Sequence, residues 1–296
     1  MNKGILYAIG AYFLWGLFPI YWKLIHNIPA LEIIAHRITW AFLFALLIIW
    51  IKKDWQNFKP ALKNRKILLT YLIAGVLLFI NWLVYVWAVN ADFIVDASLG
   101  YFINPLVNVI LGVIFLRERL RLWQWIPVGI AALGVLYLTI SYGALPWIGL
   151  TLAFSFGTYG LLKKTAALNS IHGFTLETGV LFLPALLYLL ALEYTGQGAI
   201  FHVPAYQTIL LILTGVVTGL PLLLFGAAAR LVPLSTMGFI QYIAPTLQFL
   251  IGVLVYGEAF THDRLIGFGI IWLALAIFSI DGFRVRRKNH LPAPAI

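Results

Sequence analysis

The chain has 296 residues, of which 62% are hydrophobic and only 10% charged, with a mean hydropathy of +0.97; soluble domains run at roughly 45–50% apolar and about 25% charged. Once about 20 residues go to each apolar span, almost nothing is left for a soluble catalytic domain. The formal charge of +10 sits in short connectors between apolar runs and forms no aromatic-laced basic face, so it signals topology and not nucleic acid.

Apolar runs of spanning length start near Gly4, Leu31, Ile67, Val95, Leu122, Leu145, Phe174, Thr208, Leu234 and Leu265, which predicts ten transmembrane helices. Trp123-Gln124-Trp125 marks the junction between the fourth and fifth. The amino end from Met1 to Ile20 has one cation, Lys3, and no small-residue cleavage pattern, so no removable signal peptide is expected. An even span count puts both termini on one side. On that side fall all of the 20 basic residues except Lys23, Arg37 and Arg264, so the positive-inside bias predicts cytoplasmic termini. With no cysteine, disulfides, thiolate catalysis and cysteine metal sites are excluded.

Pro105, Gly112 and Glu118 recur with unchanged spacing as Pro245, Gly252 and Glu258. Five spans per half is an odd number, so related halves run in opposite directions, as in many secondary transporters. The expected units are a first repeat over residues 1–142, an inverted second repeat over 143–283 and a basic cytoplasmic tail over 284–296. Tyr101, Asn104, Pro105, Asn108 and Gly112 share one helix face, as do Gly238, Gln241, Pro245, Gln248 and Gly252. Each proline removes a donor and pushes on the carbonyl four residues earlier. Lipid cannot satisfy that carbonyl, so these faces are expected to turn toward protein or a watered cavity.

Trp15-Gly16 with Lys23, Pro29 with His36-Arg37, the stretch from Ala97 through Tyr101 and Asn104-Pro105 to Asn108, and Gln241-Tyr242-Ile243-Ala244-Pro245-Thr246 are similar to the EamA-type branch of the drug/metabolite transporter superfamily, and the resemblance covers essentially the whole chain. It implies an all-α polytopic membrane protein with ten transmembrane helices in two inverted five-helix repeats, a carrier of the cytoplasmic membrane moving small metabolites or drugs, usually outward. The family often closes its fourth and ninth helices with Gly-Glu. Gly257-Glu258 fits that pattern, while Arg117-Glu118 departs from it at the glycine.

Ionisable groups inside spans are costly and tend to face the interior. Lys23 and Arg37 lie near the outer ends of spans one and two, where Arg37 either holds an anionic group through a bidentate fork or pairs with Glu32. Glu177, the inverted counterpart of the His36-Arg37 region, is either a proton-coupling carboxylate or a helix-start acid. Asp92 and Asp96 read as loop or capping residues. Trp50, Trp55, Trp123 and Trp125 suit the membrane interfaces, whereas Trp15, Trp82, Tyr85, Tyr159 and Tyr242 fall deep in their spans, beside Asn81, Ser155 and Thr158.

These residues predict a central site between spans three, four, eight and nine, with spans one and six contributing. Tyr101, Asn104, Gln241 and Tyr242 are the expected hydrogen-bonding groups, Trp15, Trp82, Tyr85 and Tyr159 the walls, and Arg37 the anion contact. Pro105, Gly112, Pro245 and Gly252 are expected to let helices four and nine bend and slide. The pattern carries no His-Glu-x-x-His pair, no mid-depth aspartate pair and no Gly-rich phosphate loop, so no enzyme activity, metal or other cofactor is expected. The expected partners are a small-molecule substrate and the lipid bilayer, with a coupling proton or ion where one is used, and no nucleic acid. A passive channel and a non-transporting scaffold are the alternative classes.

Overall fold

The computed structural model describes residues 3–90, 94–142, 147–257 and 262–289. Asp92 and Glu258 lie outside them, and the Asp96 side chain is likewise not described. Thirteen helices follow in order: α1 (Lys3–Gly16), α2 (Phe18–Lys23), α3 (Ala30–Ile51), α4 (Trp55–Lys63), α5 (Arg65–Asn90), α6 (Ile94–Leu116), α7 (Leu122–Tyr142), α8 (Trp147–Thr165), α9 (Ser170–Tyr194), α10 (Ala205–Leu231), α11 (Leu234–Gln241), α12 (Ile243–Leu254) and α13 (His262–Asn289). Each predicted span coincides with one helix or with a broken pair, α1/α2 for the first and α11/α12 for the ninth. Among the described residues, seven stretches are long and apolar enough to cross a bilayer, with shorter apolar helices over Gly100–Leu116 and Leu265–Asp281. The chain is an all-α polytopic membrane protein. The extra element, α4, is a short amphipathic helix that buries Phe58 and Ala61 against Ile49, Tyr71 and Leu176; Trp55 packs on this cluster, whereas Trp50, Trp123 and Trp125 are exposed.

Small side chains hold the bundle together, as they must where lipid is as apolar as leucine and helices associate by close packing. Ala8, Ala11, Ala41, Ala45, Ala74, Ala228 and Ala229 are buried in the main core. Large residues such as Leu47, Leu69, Leu183, Leu187 and Ile209 point outward. α6 packs on α8 as α1 packs on α11 and α12; α5 meets α8 as α10 meets α1; and α5 meets α9 as α10 meets α3. The pairs α3 with α9, α6 with α11 and α7 with α13 also pack. Interchanging each span with the one five places along maps these contacts onto one another, whereas α8 also packs on α10, and α6 on α7, without an equally extensive counterpart.

The proline stripes behave differently from each other. α6 runs unbroken through Pro105, clamped between α8 and α11; a β-carbon at Gly238 of α11 would stand 2.5 Å from the Pro105 carbonyl oxygen. In span nine the helix breaks at Tyr242, one residue after the carbonyl that Pro245 leaves without its donor. Span one breaks at Leu17, where Pro19 stands in the first turn of α2. The carbonyl that Pro19 deprives, Trp15 O, accepts instead from Gln248 Nε2 of α12 at 3.0 Å.

Candidate functional site

The break in span one and the packing of α3, α5, α6, α8, α10 and α12 around it leave a cavity in the middle of the bundle. Span one gives it Tyr12, Trp15, Phe18, Pro19 and Trp22; α3 gives Arg37; α5 gives Asn81, Trp82 and Tyr85; and α6 gives Gly100, Tyr101 and Asn104. The second half adds Leu152, Phe156, Leu222, Gln241, Ala244 and Gln248. About 100 Å³ is open to the centres of water-sized molecules, against roughly 10–15 Å³ for one water, so a small organic solute fits. Aromatic walls with a few amides and hydroxyls suit a partly apolar ligand.

Polar groups on the two stripes meet at the floor. Asn108 Nδ2 donates to Gln241 Oε1 at 2.8 Å and to Asn104 Oδ1 at 3.1 Å. Asn104 Nδ2 in turn donates to Ala153 O at 3.0 Å, and Tyr12 OH lies 3.5 Å from Gln241 Oε1. Asn81 Nδ2 bridges Leu152 O and Ser155 Oγ. The Tyr85 and Tyr101 rings meet edge to face at 5.9 Å.

Arg37 is only 7% exposed, yet its head borders the cavity. Its guanidinium carbon lies 4.8 Å from the Trp22 ring centroid and 4.4 Å from that of Trp82, and Nε donates to Thr218 Oγ1 at 3.1 Å. The alternative partner, Glu32, turns away: Oε1 accepts from Ala199 N at 2.5 Å and lies 3.8 Å from His36 Nε2. Lys23 sits outside the cavity, exposed, 4.8 Å from the Tyr256 ring.

On the cavity side toward the amino-terminal end of α1, aromatic rings cluster together. Phe156 and Phe225 lie 5.2 Å apart, Trp15 lies 5.5 Å from Phe156, and Tyr159 stacks on Phe225 at 5.9 Å. Two expected cavity residues prove to be elsewhere. Tyr159 is fully buried, stacked on Phe225 of α10, with its hydroxyl donating to Glu177 Oε2 of α9 at 3.0 Å. Tyr242 lies in a second core with Phe102, Val107, Ala131 and Ile271, its hydroxyl donating to Phe102 O at 3.2 Å.

Glu177 and Lys163 form an ion pair at 2.9 Å with side chains 0% and 4% exposed. Lys163 is therefore no connector charge, as its neighbour Lys164 first suggests; it shares the Tyr159 face of α8, one turn on. Lys164 Nζ donates to Ala229 O and Val232 O.

At the same end, a carboxylate joins spans four and nine. Glu118 Oε1 accepts from Leu234 N at 2.6 Å, and Oε2 accepts from Ser235 N at 3.0 Å and Ser235 Oγ at 2.7 Å, placing negative charge on the first turn of α11. Gly112 makes room, since a β-carbon there would stand 2.7 Å from Glu118 Oε2. Arg117 has φ 53° and Gly257 φ 67°, so the residue before each glutamate takes the left-handed conformation whether or not it is glycine.

Residues 2–140 match the EamA-like transporter family. The chain is 46% identical to "Protein RarD" of Streptomyces exfoliatus, over 98% of this chain and 92% of that one. It is 45% identical to "Uncharacterized transporter YojE" of Bacillus subtilis (strain 168), over 98% of each. The chain belongs to the EamA family of the drug/metabolite transporter superfamily. A solved crystal structure at 16% identity superposes with a TM-score of 0.69 over 94% of this chain and 97% of its own, which shows the shared fold. This EamA protein is a multi-pass membrane transporter.

The structure brings Trp15, Arg37, Trp82, Tyr85, Tyr101, Asn104 and Gln241 to the EamA cavity and leaves Tyr159 and Tyr242 outside it. Pro105 and Gly112 lie at the contact with α11, and Pro245 and Gly252 are buried in α12. Sequence reasoning passed over Tyr12, Trp22 and Phe156 on the cavity wall. The signal for Trp22 was available in Pro19: a broken span turns its second half, and the aromatic on it, inward.

Proposed function

We propose that this protein is a secondary carrier of small metabolites or drugs, amino-acid-like or amphipathic in character, working by alternating access with export as its direction. Two inverted repeats, residues 1–142 and 143–283, rock about the cavity in the bacterial cytoplasmic membrane, with both termini and the basic tail inside. The observation that carries this reading is the cavity itself, built from both halves, joined at its floor by Asn108 and Gln241 and bordered by the ring cluster of Trp15, Phe156 and Phe225. The matching helix contacts in the two sets of five spans, α5 with α8 against α10 with α1 and α5 with α9 against α10 with α3, support it. Trp15, Trp82, Tyr85 and Tyr101 serve as walls, Asn104 and Gln241 as hydrogen-bonding groups. The test is uptake and counterflow of radiolabelled amino acids and related metabolites in proteoliposomes, with Asn104→Ala and Gln241→Ala alongside. Saturable flux with counterflow, weakened in both variants, is the expected result. Flux without saturation or counterflow identifies a passive channel, and unchanged transport in both variants removes the proposed site.

A further inference from the structure

Arg37 poses a physical question that the carrier reading leaves unanswered. A guanidinium buried to this degree is ordinarily met by a carboxylate, because an uncompensated charge in a medium of low polarity is costly. Among the described residues, no acid plays that part. None of the cavity residues is Asp or Glu. Glu32 is engaged by Ala199 N, Glu177 by Lys163 and Tyr159, and Glu118 by the first turn of α11. Nε of Arg37 donates to Thr218 Oγ1, and Tyr21, Tyr85 and Tyr101 are the titratable groups that face its charge; the forked end of the guanidinium suits a planar, two-oxygen acceptor.

The internal repeat sharpens the point. The interval that separates Pro105 from Pro245 also separates Lys23 from Lys163 and Arg37 from Glu177. At the amino-terminal end the second repeat places a lysine and a glutamate at these positions, and they neutralise each other at 2.9 Å. At the other end the first repeat has Lys23 and Arg37 at the corresponding positions, two cations where the second repeat has a cation and an acid.

We propose that the missing acid arrives with the solute: the cavity selects organic monocarboxylates with an apolar or aromatic body, the carboxylate seated on the Arg37 fork and the body among Trp15, Trp22 and Trp82. Trp22 and Trp82 already flank the guanidinium, so the site is preformed on both sides. An α-ammonium group finds no carboxylate among the described cavity residues, only ring faces and neutral amides and hydroxyls, so a simple acid binds better than the corresponding amino acid. The selection rests on the carrier reading for its biological use and on Arg37 for its chemistry.

The experiment uses one skeleton with four head-group charge patterns, anionic, neutral, zwitterionic and cationic, on the purified, detergent-solubilised protein: 3-phenylpropanoate, 3-phenylpropanamide, phenylalanine and 3-phenylpropylammonium, each titrated by thermal shift. The expected order places the acid first, about tenfold or more tighter than the amide, with the ammonium compound weakest. Arg37→Gln removes the difference between acid and amide; Arg37→Lys keeps its direction with weaker binding, since the charge remains and the fork is lost. Should both variants fail to fold, the ranking on the unaltered protein decides alone. Equal binding of acid and amide, equal binding of acid and phenylalanine, or an acid preference that survives Arg37→Gln overturns the proposal. Proteoliposome flux separates it from the carrier reading: flux of the amide but not the acid overturns the carboxylate selection and leaves a carrier, whereas Arg37-dependent acid binding without flux of any probe keeps the site and removes the carrier.

Discussion

Asn108 of span four donates to Gln241 of span nine across 2.8 Å, with both side chains almost wholly buried. The bond ties the two halves together directly beneath the cavity, and the same Asn108 amide also reaches Asn104. Cutting it frees a buried acceptor on each helix. Asn108→Ala is expected to lower stability by about 1 kcal/mol, within the range measured for interhelical hydrogen bonds in membranes. A double-mutant cycle with Gln241→Ala, read by unfolding in mixed micelles, should return a coupling of about 0.5–1.5 kcal/mol; additive effects would mean that the bond contributes nothing.

Lys163 and Glu177 call for a different arithmetic. Removing either partner strands a charge in the core, and Lys163→Met or Glu177→Gln alone is expected to cost about 3–5 kcal/mol. The pair of apolar replacements, Lys163→Met with Glu177→Leu, should cost less than either single change, because no charge is then left behind. Comparing unfolding of the three variants checks the prediction, and a double variant weaker than both singles refutes it.

Arg117 occupies the left-handed region at φ 53°, where a β-carbon costs roughly 1–2 kcal/mol and glycine nothing. Arg117→Gly is therefore expected to raise stability by about 1 kcal/mol while leaving the Glu118 contacts in place. The midpoint of thermal unfolding should rise. A fall would show that the arginine side chain contributes more than its backbone conformation costs.

Glu118 holds the start of α11 by three acceptor contacts. Glu118→Gln exchanges one acceptor oxygen for a donor that faces N–H groups. Amide hydrogen exchange in the first turn of α11 is expected to speed up, with α3 and α9 unaffected. Unchanged protection at Leu234 and Ser235 would mean that the carboxylate plays no part in holding the two spans.

The spans and the polar stripes were legible because hydropathy reports depth and helical spacing reports which residues share a face. Asn104 and Gln241 reach the cavity for that reason. What depth alone does not report is the direction a face looks. Tyr159 lies deep in α8, but Lys163 one turn away shares its face, and that face serves Glu177 on α9. Lys163 reads as a connector charge in the sequence because it stands next to Lys164 near a span end, while its buried partner sits on a different helix. Pro105 and Pro245 look alike in sequence, yet only the second coincides with a helix break; packing of α6 against α8 and α11 on both sides is a tertiary property.

The kink in span one belongs to two helices at once. Pro19 strips the Trp15 carbonyl of its own partner, and Gln248 from the opposite half supplies the replacement. Pulling α12 away would leave a bare peptide oxygen in an oily surrounding, so the bend and the helix that services it should travel as a single rigid unit, and Gln248→Leu should uncouple them.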